Sequence, residues 1–174
     1  MSVPTILLTG PTGSGKTTVA FEMSRQLEAA RVGHALVDTD ELDRLFPPPA
    51  DDPHTTFLTR RNLAAVWANL RAAGAPRLIL VMVAASLEYE LPHLREAVPG
   101  AEITTVRLRA SEMTLLERLQ CREVGSGLEY HRRRSVEQAT LMAREENRDG
   151  VLIVDTTAKS VPAVAREVLR GVGW

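Results

Sequence analysis

One cysteine, Cys121, stands among 174 residues, so an intrachain disulfide is excluded and an intracellular, cytoplasmic setting is the expectation. Aromatic residues make up only 4% of the chain, so a core must be assembled mainly from Leu, Val, Ile and Ala. Neither sign of charge dominates. The 21 Lys and Arg face 22 Asp and Glu, a net charge of −1, which gives no global field to draw nucleic acid or an anionic membrane. Apolar runs are short, Leu78 to Ala85 among the longest, and none has the length that crosses a bilayer. The start, Met1-Ser2-Val3-Pro4, lacks the charged region of a signal peptide. There is no internal repeat and no low-complexity tract. His34, His54 and His93 stand apart with no metal-ligand spacing. The D-x-x-G and N-K-x-D elements of GTPases are missing as well. A motor or ring ATPase should end a core strand in Asp-Glu, but the strand from Leu78 to Ala84 runs into Ala85-Ser86.

What is present is a regular alternation of short apolar runs and helix-period segments. Val3 to Thr9 reads as a buried strand, and Thr17 to Arg31 as a helix with Val19, Ala20, Met23, Leu27 and Ala30 on one side. Ala35 to Val37 is a second strand. A short helix is expected from Asp40 to Phe46, stopped by Pro47-Pro48-Pro49. Phe57 to Ala73 is a helix with Leu63, Val66, Trp67 and Leu70 aligned, and Gly74 follows it. Leu78 to Ala84 has the continuous apolar character of a strand covered on both faces. A helix from Leu87 to Val98 should break near Pro92. Ile103 to Leu108 is a fourth strand, and Ser111 N-caps a helix reaching about Glu123, with Cys121 buried inside it. Arg134 to Arg148 reads as a helix, Val151 to Val154 as a fifth strand and Val161 to Val172 as a closing helix. This pattern predicts one α/β domain spanning 1–174, three layers deep, with a parallel sheet and right-handed crossovers.

The strongest motif is Gly10-Pro11-Thr12-Gly13-Ser14-Gly15-Lys16-Thr17, with Thr18 following. It matches the phosphate-binding loop G-x-x-x-x-G-K-[ST] without a mismatch, between an apolar strand and an amphipathic helix. Glycines let main-chain N–H groups form an anion nest, and the next helix aims its positive end at the phosphates. Lys16 would reach the β- and γ-phosphates of ATP, and Thr17 would offer a hydroxyl to Mg²⁺.

Asp38-Thr39-Asp40 places two carboxylates at the carboxyl end of the second strand, the edge where open α/β sheets bind ligands. Asp40 is a candidate general base toward an acceptor hydroxyl, and Asp38 a candidate to orient Mg²⁺ waters. Asp40 could instead N-cap the short helix. Arg44, Arg60, Arg61 and Ser86 are candidates to hold the acceptor. Arg118 and Arg122 lie four apart on one helix before Gly125-Ser126-Gly127, and Arg132-Arg133-Arg134 follow. A Gly-bounded, arginine-bearing segment, about 122–134, has the makings of a mobile lid over the phosphates. A solvated, ion-paired hairpin is the plainer alternative. No aromatics interleave with these arginines, so nucleic acid is not an expected partner.

These pieces together resemble the P-loop kinase group that includes adenylylsulfate kinase, gluconate kinase, shikimate kinase and chloramphenicol phosphotransferase. The resemblance rests on Gly10 to Thr17, on Asp38-Thr39-Asp40, on the Arg118/Arg122 region and on Asp155-Thr156-Thr157-Ala158-Lys159. It implies a five-stranded parallel sheet of the nucleoside-monophosphate-kinase type. It also implies ATP and Mg²⁺ as reactants, Asp38 ordering the metal, Asp40 meeting the acceptor hydroxyl, and a loop with Thr157, Ala158 and Lys159 cradling adenine. Transfer of a γ-phosphate to a small hydroxylated molecule is the expected activity. A nucleotide-binding regulatory protein and a nucleic-acid-end kinase remain alternatives, and monomer and homodimer both stay open.

Overall fold

The computed structural model describes residues 2–122, 125, 127–144 and 150–174. Five strands form an all-parallel sheet: β1 (Val3–Thr9), β2 (Ala35–Asp38), β3 (Leu78–Val81), β4 (Ala101–Arg109) and β5 (Val151–Asp155). Their order across the sheet is β2-β3-β1-β4-β5, so β1 lies at the centre. The helices are α1 (Lys16–Ala29), α2 (Thr56–Ala72), α3 (Leu87–Ala97), α4 (Glu112–Arg122), α5 (Leu128–Ala143) and α6 (Val161–Gly171).

Strand alternation sends side chains to two separate cores. From β1, Ile6 and Leu8 face α1 and α6, where they join Val19, Met23, Leu27, Val164 and Val168. Val3 and Leu7 face the opposite way, toward Leu63 and Trp67 of α2 and Leu87 and Leu94 of α3. Being covered on both faces accounts for the unbroken apolar runs of β1 and β3. Because α1 follows β1 on one face and α3 follows β3 on the other, the sheet opens a crevice between the carboxyl ends of these neighbouring strands. Among the described residues, no helix is long and apolar enough to cross a membrane.

Several local expectations are corrected. No helix runs from Asp40 to Phe46. A single 3-10 turn, Thr39–Glu41, ends there because the side chain of Asn62 donates to the carbonyl of Leu42, at 2.5 Å. Asp38, not Asp40, caps this turn, its Oδ1 accepting from the Asp40 N–H at 3.1 Å. Helix α3 runs unbroken through Pro92, which removes only one helical donor. Strand β3 stops at Val81. The chain beyond it still follows β1, with the Met82 N–H on the carbonyl of Leu8 and the Ala84 N–H on the Thr9 hydroxyl. Helix α5 begins at Leu128 and not at Arg134, its charged first turns being held by the Glu129–Arg132 pair and by Arg134 over the Tyr130 ring. Cys121 is exposed, since the buried face of α4 is Leu115 and Leu119. Ser111 does cap α4, its Oγ accepting from the Thr114 N–H at 3.2 Å.

Candidate active site

The phosphate loop joins β1 to α1 and is fitted tightly between its neighbours. At Gly10 (φ 152°), an added Cβ would lie 2.4 Å from the carbonyl oxygen of Leu108 in β4. At Gly13 (φ 88°), it would lie 3.0 Å from the carbonyl oxygen of Leu115 in α4. Only glycine meets both the backbone angle and the approach. The Ser14 N–H turns back to the carbonyl of Pro11, at 3.1 Å, while α1 bonds begin only with Val19 on Gly15. The first N–H groups of α1 therefore lack a preceding helical turn and make the positive end expected of an anion site.

Lys16 is nearly buried, and its ammonium donates to the carbonyls of Gly10 (3.0 Å) and Pro11 (3.2 Å). Burial pulls its pKa down to about 8, against the opposing pull of Asp40 and Asp38, and Arg122 lowers it further. At the start of α1, the Thr17 hydroxyl donates to Asp38 Oδ2 at 2.7 Å. A hydroxyl and a carboxylate side by side are the hard oxygen donors that fit a magnesium ion. Asp40, two residues on in the turn that Asp38 caps, has a raised pKa. Desolvation is the main cause and the Asp38 charge the second, partly offset by Lys16.

Lys16, Thr17 and Asp40 line a cleft of about 1020 Å³, whereas Asp38, Gly10 and Pro11 do not. Thr12 to Thr18, Lys16 among them, line its floor, and Asp40, Asp43 and Arg44 line one wall. Asp43 Oδ2 accepts hydroxyls from Thr55 (2.9 Å) and Thr59 (3.0 Å), which pins the segment after β2 to α2. Arg44 is paired with Glu41 at 2.7 Å. Arg60 also lines the cleft. Its guanidinium lies over the Tyr89 ring at 5.0 Å and 3.9 Å from Glu90, a carboxyl whose pKa burial raises while Arg60 and His93 lower it. Arg122 lines the opposite wall with Tyr130, His131 and Arg134.

Not every predicted residue reaches the cleft. Arg61, one position round the helix from Arg60, is exposed and away from it. Ser86 is exposed at the start of α3, with its carbonyl accepting the Glu90 N–H. Thr157 and Ala158 are exposed too, the Thr157 hydroxyl accepting the Ser111 N–H at 3.0 Å, whereas Lys159 lines the cleft and pairs with Glu167. Arg118 lines the cleft but donates to Thr156 Oγ1 (2.9 Å), to the Thr156 carbonyl (2.7 Å) and to the Ser14 carbonyl (3.4 Å). It ties the phosphate loop to the end of β5. Of Arg132, Arg133 and Arg134, only Arg134 lines the cleft; the other two pair with Glu129 and Glu137. The expected lid includes residues 123, 124 and 126, which lie outside the described residues. Sequence reasoning named Thr156 without giving it a role, and passed over Glu90, Ser135 and Gln138. The last two sit on the buried face of α5 with Met142, a helical spacing that could have flagged them.

The fold recurs in solved structures. A gluconokinase from Sinorhizobium meliloti 1021 matches with a TM-score of 0.65 at 23% identity, over 98% of this chain and 91% of that one. A Deinococcus radiodurans tunicamycin resistance protein matches with a TM-score of 0.68 at 21% identity, over 98% and 96%. The APS kinase of Mycobacterium tuberculosis, solved with AMPPNP and APS, matches with a TM-score of 0.63 at 18% identity, over 99% of both chains. At such identities the likeness describes the fold, which is that of P-loop kinases. Among curated protein sequences, none matches the chain. A family model described as an AAA domain matches residues 6–142, from the first strand into the fifth helix. By that match, which takes in most of its 174 residues, the chain belongs to the AAA domain family.

Proposed function

We propose that the protein is an ATP-dependent phosphotransferase that moves the γ-phosphate of ATP to a hydroxyl of a small molecule in the cytoplasm. The observation that carries this reading is the 2.7 Å contact between Thr17 and Asp38 at the mouth of the phosphate loop, with Asp40 lining the cleft two residues on. One end of the cleft is thereby equipped for a phosphate chain and the other for an alcohol. Full-length likeness to gluconokinase and APS kinase structures supports it.

In this reading the N–H groups from Gly13 to Thr18, with Lys16, hold the phosphates, and Thr17 and Asp38 hold magnesium through oxygen and water. Bound magnesium would neutralise charge on the β- and γ-phosphate oxygens. Asp40 takes the acceptor's hydroxyl proton. The acceptor oxygen bonds to the γ-phosphorus as the bond from that phosphorus to the β,γ-bridging oxygen breaks, and ADP leaves with that oxygen. A carboxylate whose pKa is lifted holds a proton more firmly than a solvated one, which suits an acceptor of that proton. Lys16 and Arg122 stabilise the charge on the phosphoryl group in flight, and Lys159 beside the β5 end borders the adenine. Arg118 holds Thr156 and the phosphate loop in register.

The acceptor wall carries the carboxylates of Asp40, Asp43 and Glu90. There Arg44 is paired with Glu41, and Arg60 lies beside Glu90. This balance favours neutral or amine-bearing polyols over polyanions. The test is ADP release from Mg·ATP across a panel of hydroxylated metabolites, amino polyols and antibiotics. A kinase releases ADP in an acceptor-dependent way. Release that no acceptor accelerates would replace this reading with that of a nucleotide-dependent switch.

A further inference from the structure

Three hydrogen bonds join one residue of the phosphate loop to one face of α5. The Thr12 N–H donates to Gln138 Oε1 at 2.9 Å, and the Thr12 hydroxyl donates to the same atom at 2.9 Å. The Thr12 carbonyl accepts from the Ser135 hydroxyl at 2.6 Å. Every hydrogen-bonding group of Thr12 thus goes to α5. The main-chain N–H can only donate, so the atom facing it must be the amide oxygen of Gln138. Ser135 is fully buried and Gln138 is 7% exposed. An apolar pair would pack a helix on a loop as well; two buried polar side chains converging on one residue fix its orientation too.

The same helix face has a second anchor and a projecting end. Arg107 of β4, 1% exposed, donates to the carbonyl of Met142 at 2.6 Å. In the other direction, His131 and Arg134, four positions before Ser135 and Gln138 respectively, line the cleft. Helix α5 is therefore held at Met142, held at the loop, and presents its first two turns to the cleft.

We propose that Gln138, with Ser135, is a positioning residue. It fixes the phosphate loop to α5 at Thr12, so that a nucleotide seated on the loop also sets the end of α5 that carries His131 and Arg134. This rests on the phosphate loop binding a nucleotide, as read above. Gln138 lines the cleft as well, but its amide oxygen is taken up by Thr12, and it is through Thr12 that it acts.

The experiment is amide hydrogen exchange on residues 128–134, with and without ADP and magnesium, with ADP binding followed separately by calorimetry. In the native protein ADP slows exchange there by roughly ten-fold, the scale of one or two net hydrogen bonds. Gln138→Leu, similar in bulk but without the acceptor oxygen, still binds ADP and still protects the start of α1, yet loses the protection over 128–134. Gln138→Glu, which keeps an acceptor oxygen, restores it. A purely structural role would instead lower protection everywhere in proportion to lost folded protein. Native-like protection of 128–134 in Gln138→Leu overturns the proposal. Should Gln138→Leu fail to fold, Ser135→Ala decides, with partial loss confined to the same segment supporting it and full protection overturning it. ADP-linked protection without any acceptor-dependent ATP use would sink the kinase reading and leave this one standing. A native protein that binds no ADP would sink both.

Discussion

At Lys16, burial and two carboxylates pull the ammonium in opposite directions, and burial wins, leaving a pKa of about 8. A polyphosphate beside it would raise that value again. Nucleotide binding should therefore take up a proton near pH 8, and affinity should be flat below that pH and fall by up to about ten-fold per unit above it. Calorimetry in two buffers of different ionisation enthalpy measures the uptake. Flat affinity from neutral pH to well above 8, with no proton taken up, would remove Lys16 from the phosphate site. In the free protein the sign is the reverse of a paired lysine's. The unfolded chain keeps the proton between about 8 and 10.5 while the folded one releases it, so this group's share of stability grows as pH rises through that window. Asp40 makes the second residue-scale prediction. Asp40→Asn should cost about 10²–10⁴ in kcat with ATP affinity little changed. If Asp40 takes the proton, the acidic limb of the native pH–rate profile should be missing from the variant. An unaltered profile in Asp40→Asn would mean another group takes the proton.

Between the Thr39–Glu41 turn and α2, the chain is held by side chains and isolated backbone turns. Asp43→Ala would remove the acceptor shared by the Thr55 and Thr59 hydroxyls, which keep the carbonyls of His54 and Thr55, at a cost of about 0.5–1.5 kcal/mol in urea unfolding. In assays, the KM for the acceptor should rise more than the KM for ATP, and equal rises would detach this segment from the acceptor. This is also where sequence reading was least informative. Strands β1 and β3 and the phosphate loop were legible because apolar period and glycine spacing are local signals. The Thr17–Asp38 pairing was half legible, since the motif named both residues but not their contact. A helix from Asp40 to Phe46 seemed natural until Asn62, twenty positions away, took the carbonyl of Leu42. Gln138 and Thr12 are 126 positions apart, and a polar residue in a charged helix carries no mark of such a partner. Arg118 was legible as a residue of the cleft, but its use as a tie between Ser14 and Thr156 was not.

Ligand binding to the native fold should show in the stability of the whole molecule. At a hundred-fold excess over Kd, Mg·ATP should add about 2.7 kcal/mol, roughly 5–10 °C in Tm for a chain of this size. Thermal unfolding checks it, with Lys16→Ala expected to show no shift. A native protein indifferent to saturating Mg·ATP would contradict the phosphate-loop reading. Strand β1 contributes alternate side chains to a core against α1 and α6 and to a core against α2 and α3; in the proposed reading the first backs the nucleotide and the second backs the acceptor. On that reading, a descendant of this protein could rebuild the α2–α3 layer, and with it the choice of acceptor, while inheriting its energy donor unaltered from the opposite layer.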